Sequence, residues 1–379
     1  MSDETVFANA LIVAADEAFV GHVVVAGGTI RTVGRGATAT PGAIDLGGDW
    51  LLPGFVEVHT DNLEKHMLPR PGVLWDAYAA TVVHDAQCAG AGITTVLDAV
   101  VIGSRDLGGG RSLMQDTAIE CLQRCREDGV LRVEHLLHLR CELATADVLE
   151  RFMLNVDRPD LRLVSVMDHT PGQRQWRDLA RYRQYMERNG RYTEERFSAM
   201  LAEQHLEHEA HADANRRAVV EAARARGVPV ASHDDTEVRH VEQARDEGIV
   251  MSEFPTTVEA ARAAREAGMS IVMGGPNLVR GGSHSGNVSA GELARLGLLD
   301  IVSSDYVPSS LLMSVLRLRA DGWSLPSAVG TVSRAPALSV GLPDRGEIAP
   351  GRRADLIHVR PRGAQAAVMQ TWVAGRRVA

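Results

Sequence analysis

Short apolar runs of strand character alternate, from residue 51 to residue 303, with longer amphipathic segments. The amphipathic segments, such as ELARLGLL and TTVEAARAAREAG, have helical spacing, and several end in glycine, as helices commonly do. Eight apolar runs are predicted to be buried strands, at residues 51–58, 93–98, 131–139, 161–167, 228–231, 249–254, 270–273 and 300–303. Eight strands alternating with helices over about 280 residues have the size and rhythm of a (β/α)8 TIM-like barrel. A doubly wound sheet is the alternative, but no G-x-G-x-x-G motif follows a strand to support it.

The two ends of the chain have a different pattern, with brief apolar runs divided by glycines, as in GHVVVAGGTIRTVG and AAVMQTWVAGRRV. This pattern is typical of small antiparallel strands. We predict that neither end has a core of its own and that residues 1–50 and 345–379 fold together into one small β-sandwich domain. The barrel would then span residues 51–344. Residues 170–227 carry two helical patterns, and we interpret them as an insertion over the mouth of the barrel, a lid or substrate-binding arm.

Composition limits the classes of function. The chain has 379 residues, 45% of them apolar and 23% charged, which is ordinary for a globular protein. Its net charge of −9 argues against general nucleic-acid binding. No apolar run approaches the ~18 residues of a membrane helix, and the acidic start MSDETVFANA is unlike a signal peptide. We therefore expect a cytoplasmic protein without a membrane partner. Barrels of this size commonly form homo-oligomers, but no residue identifies an interface.

Ionisable side chains follow the ends of several predicted strands. His59 and Asp61 lie two residues apart at the end of the first strand, so their side chains point to the same side. Imidazole and carboxylate groups suit a divalent metal such as zinc or manganese, although an isolated pair of this kind is more simply explained by a hydrogen bond. Other strand ends carry Glu142, His169, His233 and Asp305. Unpaired ionisable groups cost stability unless something binds them, so the set predicts a metal site at the barrel mouth.

This arrangement resembles the amidohydrolase superfamily, as do LPGFVEVH near the start and GEIAPGRRADL near the end. The resemblance covers nearly the whole chain and implies two divalent ions held by His59, Asp61, Glu142, His169, His233 and Asp305. Glu142 would be the bridging ligand, because the single lysine, Lys65, lies in the loop after the first strand. Asp305 would also be catalytic, taking the proton of the attacking water. The first-strand pair is His-x-Asp where His-x-His is commoner in the family.

Cationic and amide side chains near these strand ends indicate an anionic, phosphorylated substrate. They are Lys65, His66, Arg70, Arg140 and Arg174, together with Asn277, Arg280 and His284 in the segment GGPNLVRGGSHSGN. Glycines expose backbone N–H groups, which suit phosphate oxygens beside an arginine. A plain flexible turn is the alternative interpretation of this glycine-rich segment.

Within the superfamily, EVHTDNLEKHMLPRPG, HLRCE, MDHTPGQRQ and SHDD resemble the branch that acts in alkylphosphonate degradation, in the carbon–phosphorus lyase pathway. This implies that a small phosphorylated sugar, a ribose with a 1-methylphosphonate and a 5-triphosphate, is hydrolysed to its 5-phosphate and pyrophosphate. A cyclic amide hydrolase or deaminase would share the metal ligands, and the cationic residues favour phosphate over a neutral ring. A metal-free structural protein is a second alternative, against which the full ligand set argues.

Overall fold

A computed structural model describes residues 4–70, 72–103, 111–187, 192–283 and 286–379, with the side chains of residues 111–113 excepted. Two eight-stranded sheets organise this part of the chain. One sheet is a parallel barrel, and the other is a mixed sheet built from both ends of the chain.

The mixed sheet begins with the first five strands, β1 (Glu4–Val13), β2 (Ala18–Ala26), β3 (Thr29–Arg35), β4 (Ile44–Asp45) and β5 (Trp50–Pro53). The barrel follows with β6 (Phe55–Thr60), β7 (Ile93–Ile102), β8 (Glu134–Glu142), β9 (Leu161–Met167), β10 (Val230–His233), β11 (Met251–Glu253), β12 (Ser270–Gly274) and β13 (Ile301–Ser303). The chain ends with β14 (Leu356–Arg362), β15 (Gln365–Val373) and β16 (Arg376–Arg377), which return to the mixed sheet.

The two termini share one sheet and one core. The strand order β16-β15-β14-β5-β1-β2-β3 places the C-terminal strands beside β5, and β4 pairs with β1. Phe7 of β1 packs edge-on against Trp372 of β15, with ring centroids 4.8 Å apart. Both side chains belong to a buried apolar cluster that draws on both ends of the chain. The prediction that the two ends fold together is therefore confirmed.

The first predicted strand is divided between the two sheets. β5 belongs to the mixed sheet and β6 to the barrel, and Gly54 is the single residue between them. A Cβ on Gly54 would lie 2.2 Å from the Thr94 hydroxyl oxygen, so a larger residue does not fit at this crossing. The domain boundary that we predicted at residue 50 falls at the start of β5, and we keep the division into two domains as a proposal.

The predicted barrel is present, and its interior is filled by side chains. Its strands run in parallel in the order β6 to β13. A backbone bridge between Thr60 and Asp305 closes the barrel, because the amide of Asp61 donates to the carbonyl of Asp305 at 3.0 Å. Each barrel strand contributes one side chain to a buried cluster, namely Val58, Leu97, Leu136, Leu163, Ala231, Met251, Val272 and Ile301. Such packing makes the barrel a core and leaves its carboxyl-terminal mouth for chemistry.

Helices surround the barrel. They are α1 (Asn62–Met67), α2 (Ala77–Gly90), α3 (Arg111–Glu127), α4 (Val148–Asn155), α5 (Leu179–Glu187), α6 (Glu194–Ala225), α7 (Val238–Asp246), α8 (Val258–Glu266), α9 (Gly275–Arg280), α10 (Ala290–Arg295), α11 (Ser310–Ala320), α12 (Leu325–Gly330) and α13 (Arg334–Ser339). Among the described residues, none of these helices combines the length and apolar character that crossing a bilayer requires.

The long connection between β9 and β10 contains α5, α6 and a short 3-10 helix at Arg174–Trp176. Trp176, Tyr182, Met186 and Phe197 form a small apolar cluster within it. The second half of α6 buries Val219, Val220 and Ala223 in the main core. The insertion thus combines a separate packing unit with a barrel helix, and its role as a lid stays a prediction.

Candidate metal centre

A cavity of about 300 Å³ opens at the carboxyl-terminal ends of the barrel strands. The predicted site residues that line it are His59, Asp61, Arg140, His169, His233, Asn277, Arg280 and Asp305. Asp234 and Gln175 also line it, the latter from the insertion between β9 and β10. The barrel topology explains this meeting, because the ends of parallel strands face the same side of the sheet.

Two groups of potential ligands face this cavity, and we call them the first corner and the second corner. The first corner consists of His59, Asp61 and Asp305, whose ligand atoms lie within 4.8 Å of one another. His59 Nε2 is 3.6 Å from Asp61 Oδ1. Asp305 joins them because it follows β13, which closes the barrel against β6, and because its backbone adopts a positive φ of 54°. A positive φ is uncommon outside glycine and is often found at functional sites.

The second corner consists of His169, His233 and Asp234. Asp234 Oδ2 lies 3.6 Å from His169 Nε2 and 3.5 Å from His233 Nε2. This oxygen is buried and accepts no hydrogen bond within the part of the chain that the structure describes. Buried polar atoms are normally paired, so two ring nitrogens converging on an unpaired carboxylate oxygen fit a cation at this corner.

Buried carboxylates hold the other ring nitrogen of each histidine. One carboxylate oxygen of Glu253 accepts a hydrogen bond from His59 Nδ1, and the other accepts one from His233 Nδ1, both at 2.7 Å. Glu142 accepts hydrogen bonds from His169 Nδ1 at 2.6 Å and from the His169 backbone amide at 3.0 Å. With Nδ1 donating to a carboxylate, Nε2 is the nitrogen left to face the cavity. A carboxylate behind a histidine is the usual support of a metal ligand.

The charges around both corners favour the binding of a cation. Burial lowers the pKa of His59 and of His169, but the neighbouring carboxylates together outweigh burial and raise each pKa to about 10; they are Glu253 and Asp61 for His59, and Glu142 and Asp234 for His169. Burial and the charge of Asp61 raise the pKa of the Asp305 carboxyl to about 6. A divalent ion would supply the charge that protonated imidazoles otherwise provide. The residues present therefore fit divalent metal.

The remaining predicted residues lie outside the described lining of the cavity. The exposed Lys65 donates from Nζ to the carbonyl of Tyr306 at 2.7 Å. Tyr306 lines the cavity, and Lys65 contacts it from outside the lining. His66 contacts Gln87, and Arg70 is exposed in a turn with Val73. Arg174 is buried and donates to the His233 carbonyl and to Asp235. His284 lies outside the described residues.

The sequence analysis did not identify Asp234 as a metal ligand or Glu253 as a residue that supports the ligands. Asp234 follows His233 directly, and its positive φ of 58° turns its carboxylate toward the second corner. Glu253 ends the short buried run MSE and is fully buried, but a glutamate at a strand end does not reveal its partners. Only the pairing of β11 beside β10 brings Glu253 to His233.

Comparisons with known proteins agree with this architecture. No protein-family model matches the chain. The chain is 44% identical over 373 residues to the alpha-D-ribose 1-methylphosphonate 5-triphosphate diphosphatase of Escherichia coli (strain K12), a match that covers 98% of this chain and 99% of that protein.

Solved structures show the same fold at low identity. One is a 5-methylcytosine deaminase from Klebsiella pneumoniae, with a TM-score of 0.66 and 15% identity over 99% of this chain and 98% of that chain. Another is a dihydropyrimidinase from Brevibacillus agri, with a TM-score of 0.64 and 14% identity over 99% of this chain and 95% of that chain. The resemblance inferred from the sequence is confirmed: the chain belongs to the family of the alpha-D-ribose 1-methylphosphonate 5-triphosphate diphosphatase and has the amidohydrolase fold.

Proposed function

We propose that the protein is a metal-dependent hydrolase of phosphoric anhydride bonds, which cleaves alpha-D-ribose 1-methylphosphonate 5-triphosphate to the 5-phosphate and pyrophosphate. The observation that carries this proposal is the 44% identity to the E. coli enzyme of that name over nearly the full length of both chains. The cavity supports it, because ligands for a cation lie beside two arginines in one space.

We further propose that divalent ions, zinc or manganese, are held at the first and second corners by His59, Asp61, Asp305, His169, His233 and Asp234. The prediction of two ions from the sequence belongs to this proposal. When bound, such ions stabilise negative charge on phosphate oxygens and lower the pKa of water. Glu253 and Glu142 orient the imidazoles for this purpose, and the bridging role of Glu142 stays a prediction.

Asp305 is the residue that we propose to take the proton from the attacking water. Its carboxylate lines the cavity, next to His59 and Asp61. The amide of Asp305 donates to the carbonyl of His59 at 3.1 Å, which ties the position of the base to the strand that carries the first corner. The proton acceptor is thus fixed by the closure of the barrel and does not depend on a mobile loop.

Arg280 and Arg140 are the groups that we propose to bind the triphosphate. Arg280 is exposed and lines the cavity, so its guanidinium is accessible to phosphate oxygens. Asn277 also lines the cavity, and its predicted contact with substrate stays a prediction. Its side-chain oxygen accepts from the Ala290 amide at 2.9 Å, and its nitrogen donates to the Val288 carbonyl at 3.2 Å. Asn277 therefore fixes the segment that follows α9, which carries cavity residues.

Phosphorus NMR tests the proposed function. The purified protein is mixed with the ribose 5-triphosphate, with manganese or zinc present and after chelation. We expect pyrophosphate and the 5-phosphate to appear only with metal. A dihydropyrimidine and cytosine serve as competing substrates in parallel assays. Turnover of one of these rings, with the triphosphate left intact, would overturn the proposal in favour of a cyclic amide hydrolase or deaminase.

A further inference from the structure

A second large cavity lies at the end of the barrel opposite to the metal centre, and we call it the lower cavity. Its volume is about 470 Å³, and its lining includes Leu161 and Val228, near the amino-terminal ends of β9 and β10. The seven residues of β9 rise by ~3.3 Å each, so about 20 Å separates the lower cavity from His169 beyond the other end of the strand. Among the described residues, the linings of the two cavities have no member in common.

Arginine side chains give the lower cavity its charge. Arg158, Arg162 and Arg226 line it, and Asp157 is the single carboxylate among its described lining residues. Three positive charges thus face one negative charge, in a chain whose net charge is −9. The lower cavity therefore attracts an anion although the chain as a whole is acidic.

Ion pairs hold two of these arginines in place. Arg226 donates to Asp157 from Nε at 2.5 Å and from Nη2 at 3.2 Å. Arg158 donates to Asp160 from Nε at 3.0 Å and from Nη2 at 3.1 Å. Asp160 also accepts from Arg126 Nη1 at 2.9 Å, so its single charge is shared between two arginines. Pairing at two points fixes the plane of a guanidinium, so both groups are positioned before a ligand arrives.

Arg162 has donors to spare. Its Nη1 donates to the backbone carbonyls of Pro159 and Leu161, at 2.8 and 3.0 Å, which fastens the guanidinium to the turn before β9. The hydrogen bonds that Arg162 forms with the described residues use this one nitrogen, so Nε and Nη2 remain for an oxyanion. These two nitrogens form a fork that matches two oxygens of a phosphate or carboxylate group.

The rest of the wall is largely apolar. Pro159, Pro229 and Leu342 line the lower cavity, as does Val340, which belongs to the buried cluster inside the barrel. A ligand that consists of charge alone would leave this wall without a contact. The volume lies in the range of small-molecule pockets, which combine apolar walls with a few polar groups.

We propose that the lower cavity is a second ligand site, which binds a small organic phosphate. Arg162 contacts the phosphate oxygens, and the organic part packs against Pro159, Pro229 and Leu342. Three arginines favour a phosphate, with its charge of about −2, over a carboxylate with its single charge. Ligand binding there does not depend on the hydrolysis proposed at the metal centre.

Calorimetric titration of the metal-loaded full chain with phenyl phosphate tests the inference. The metal centre also attracts phosphate, so the titration compares variants. Arg162→Met removes the charge and the donors but keeps much of the apolar stem. It should weaken one binding step about tenfold or more, the scale of a lost hydrogen bond to a charged group. In the wild type, inorganic phosphate and benzoate should each bind at this step more weakly than phenyl phosphate, since each lacks one of the two parts.

Arg376→Met is the matched control. It removes an exposed arginine of β16 that lies outside both cavity linings, so each binding step should stay as in the wild type. Circular dichroism establishes that each variant is folded, and the metal content of Arg162→Met should equal that of the wild type. If Arg162→Met does not fold, Arg162→Gln keeps a donor for the Pro159 carbonyl without the charge and should weaken the same step.

A crystal soaked with 4-bromophenyl phosphate locates the ligand, because bromine scatters X-rays anomalously. We expect a bromine peak beside Pro159 and Pro229, with the phosphate within hydrogen-bond distance of Arg162. A lower cavity that stays empty at saturating ligand, or an unchanged titration in a folded Arg162 variant, would overturn the inference. Equal affinity for phenyl phosphate, inorganic phosphate and benzoate would also overturn it. These results leave the proposed hydrolysis standing, because that activity is measured at the other end of the barrel.

Discussion

Replacing Glu253 by glutamine should weaken metal binding without a large change of shape. The Glu253 carboxylate accepts from Nδ1 of His59 and of His233 at 2.7 Å, and from the Ser165 hydroxyl at 2.6 Å. A glutamine presents one oxygen and one N–H₂ group at the same positions. The imidazole that meets the N–H₂ group must accept at Nδ1, so its proton moves to Nε2, the nitrogen that faces the cavity. That nitrogen can then no longer bind a metal.

The size of the effect follows from this arrangement. Loss of a hydrogen-bonding partner behind a metal ligand typically costs about 10- to 100-fold in metal affinity. This range corresponds to about 1.4–2.8 kcal/mol of binding free energy. Because one carboxylate serves one histidine of each corner, we expect the loss at whichever corner receives the misplaced proton.

Competition calorimetry against a chelator of known affinity measures the effect, with a melting curve recorded with and without metal. Ser165→Ala is the control, because it removes one hydrogen bond to Glu253 but leaves both imidazole contacts. Its metal affinity should stay within about threefold of the wild type, since the carboxylate still accepts from both imidazoles. A Glu253→Gln variant that is folded and binds metal as tightly as the wild type would refute the reasoning.

Three further predictions concern single groups. Asp305→Asn should lower kcat about 10²–10⁴-fold while most of the bound metal is retained, since only the proton acceptor is lost; near-normal turnover would remove Asp305 from that role. Arg280→Met should lower kcat/KM for the triphosphate about 10- to 150-fold, matching ~1.5–3 kcal/mol for a charged hydrogen bond, and an unchanged value would place the triphosphate elsewhere. Burial lowers the pKa of His135, but the charges and hydrogen bonds of Asp98 and Asp85 together outweigh burial and raise the pKa to about 9. The stability that this gives below the unfolded pKa of ~6.5 should therefore fall as the pH rises from there through 9. Urea unfolding should show this loss, and Asp98→Asn should reduce it; an equal loss in both proteins would contradict the assignment.

The barrel and four ionisable residues of its cavity could be predicted from the sequence, because the pattern that indicates each of them is local in the chain. Each of His59, His169, His233 and Asp305 ends or closely follows an apolar run that forms a barrel strand. A parallel barrel brings all such ends to one face, so the alternation of strands and helices suffices to predict that these side chains meet. The fold prediction is confirmed by the structure and by the similar solved structures.

Side-chain direction could not be predicted in the same way. Lys65, His66 and Arg174 are close in sequence to cavity residues, but closeness along the chain does not decide which way a side chain points. The short helix α1 sends Lys65 to the Tyr306 carbonyl, and a positive φ of 45° accompanies the buried position of Arg174 beneath His233. Their predicted substrate contacts stay predictions.

Side-chain contacts between distant strands could not be predicted from the sequence either. Glu253 contacts His59, 194 residues away, only because β11 and β6 belong to one closed barrel. The bond between Glu142 and His169 depends on the register of β8 against β9, which pairs Glu142 with Met167. A shift of one residue would turn either carboxylate to the other face of the sheet.

Anomalous X-ray scattering from a crystal soaked in zinc or manganese tests the metal centre most directly. We expect a peak at the second corner, within about 2.0–2.2 Å of Nε2 of both His169 and His233 and of a carboxylate oxygen of Asp234. A metal-loaded crystal with no peak in this cavity, or with these two rings turned away from each other, would show that the cavity is not a metal centre.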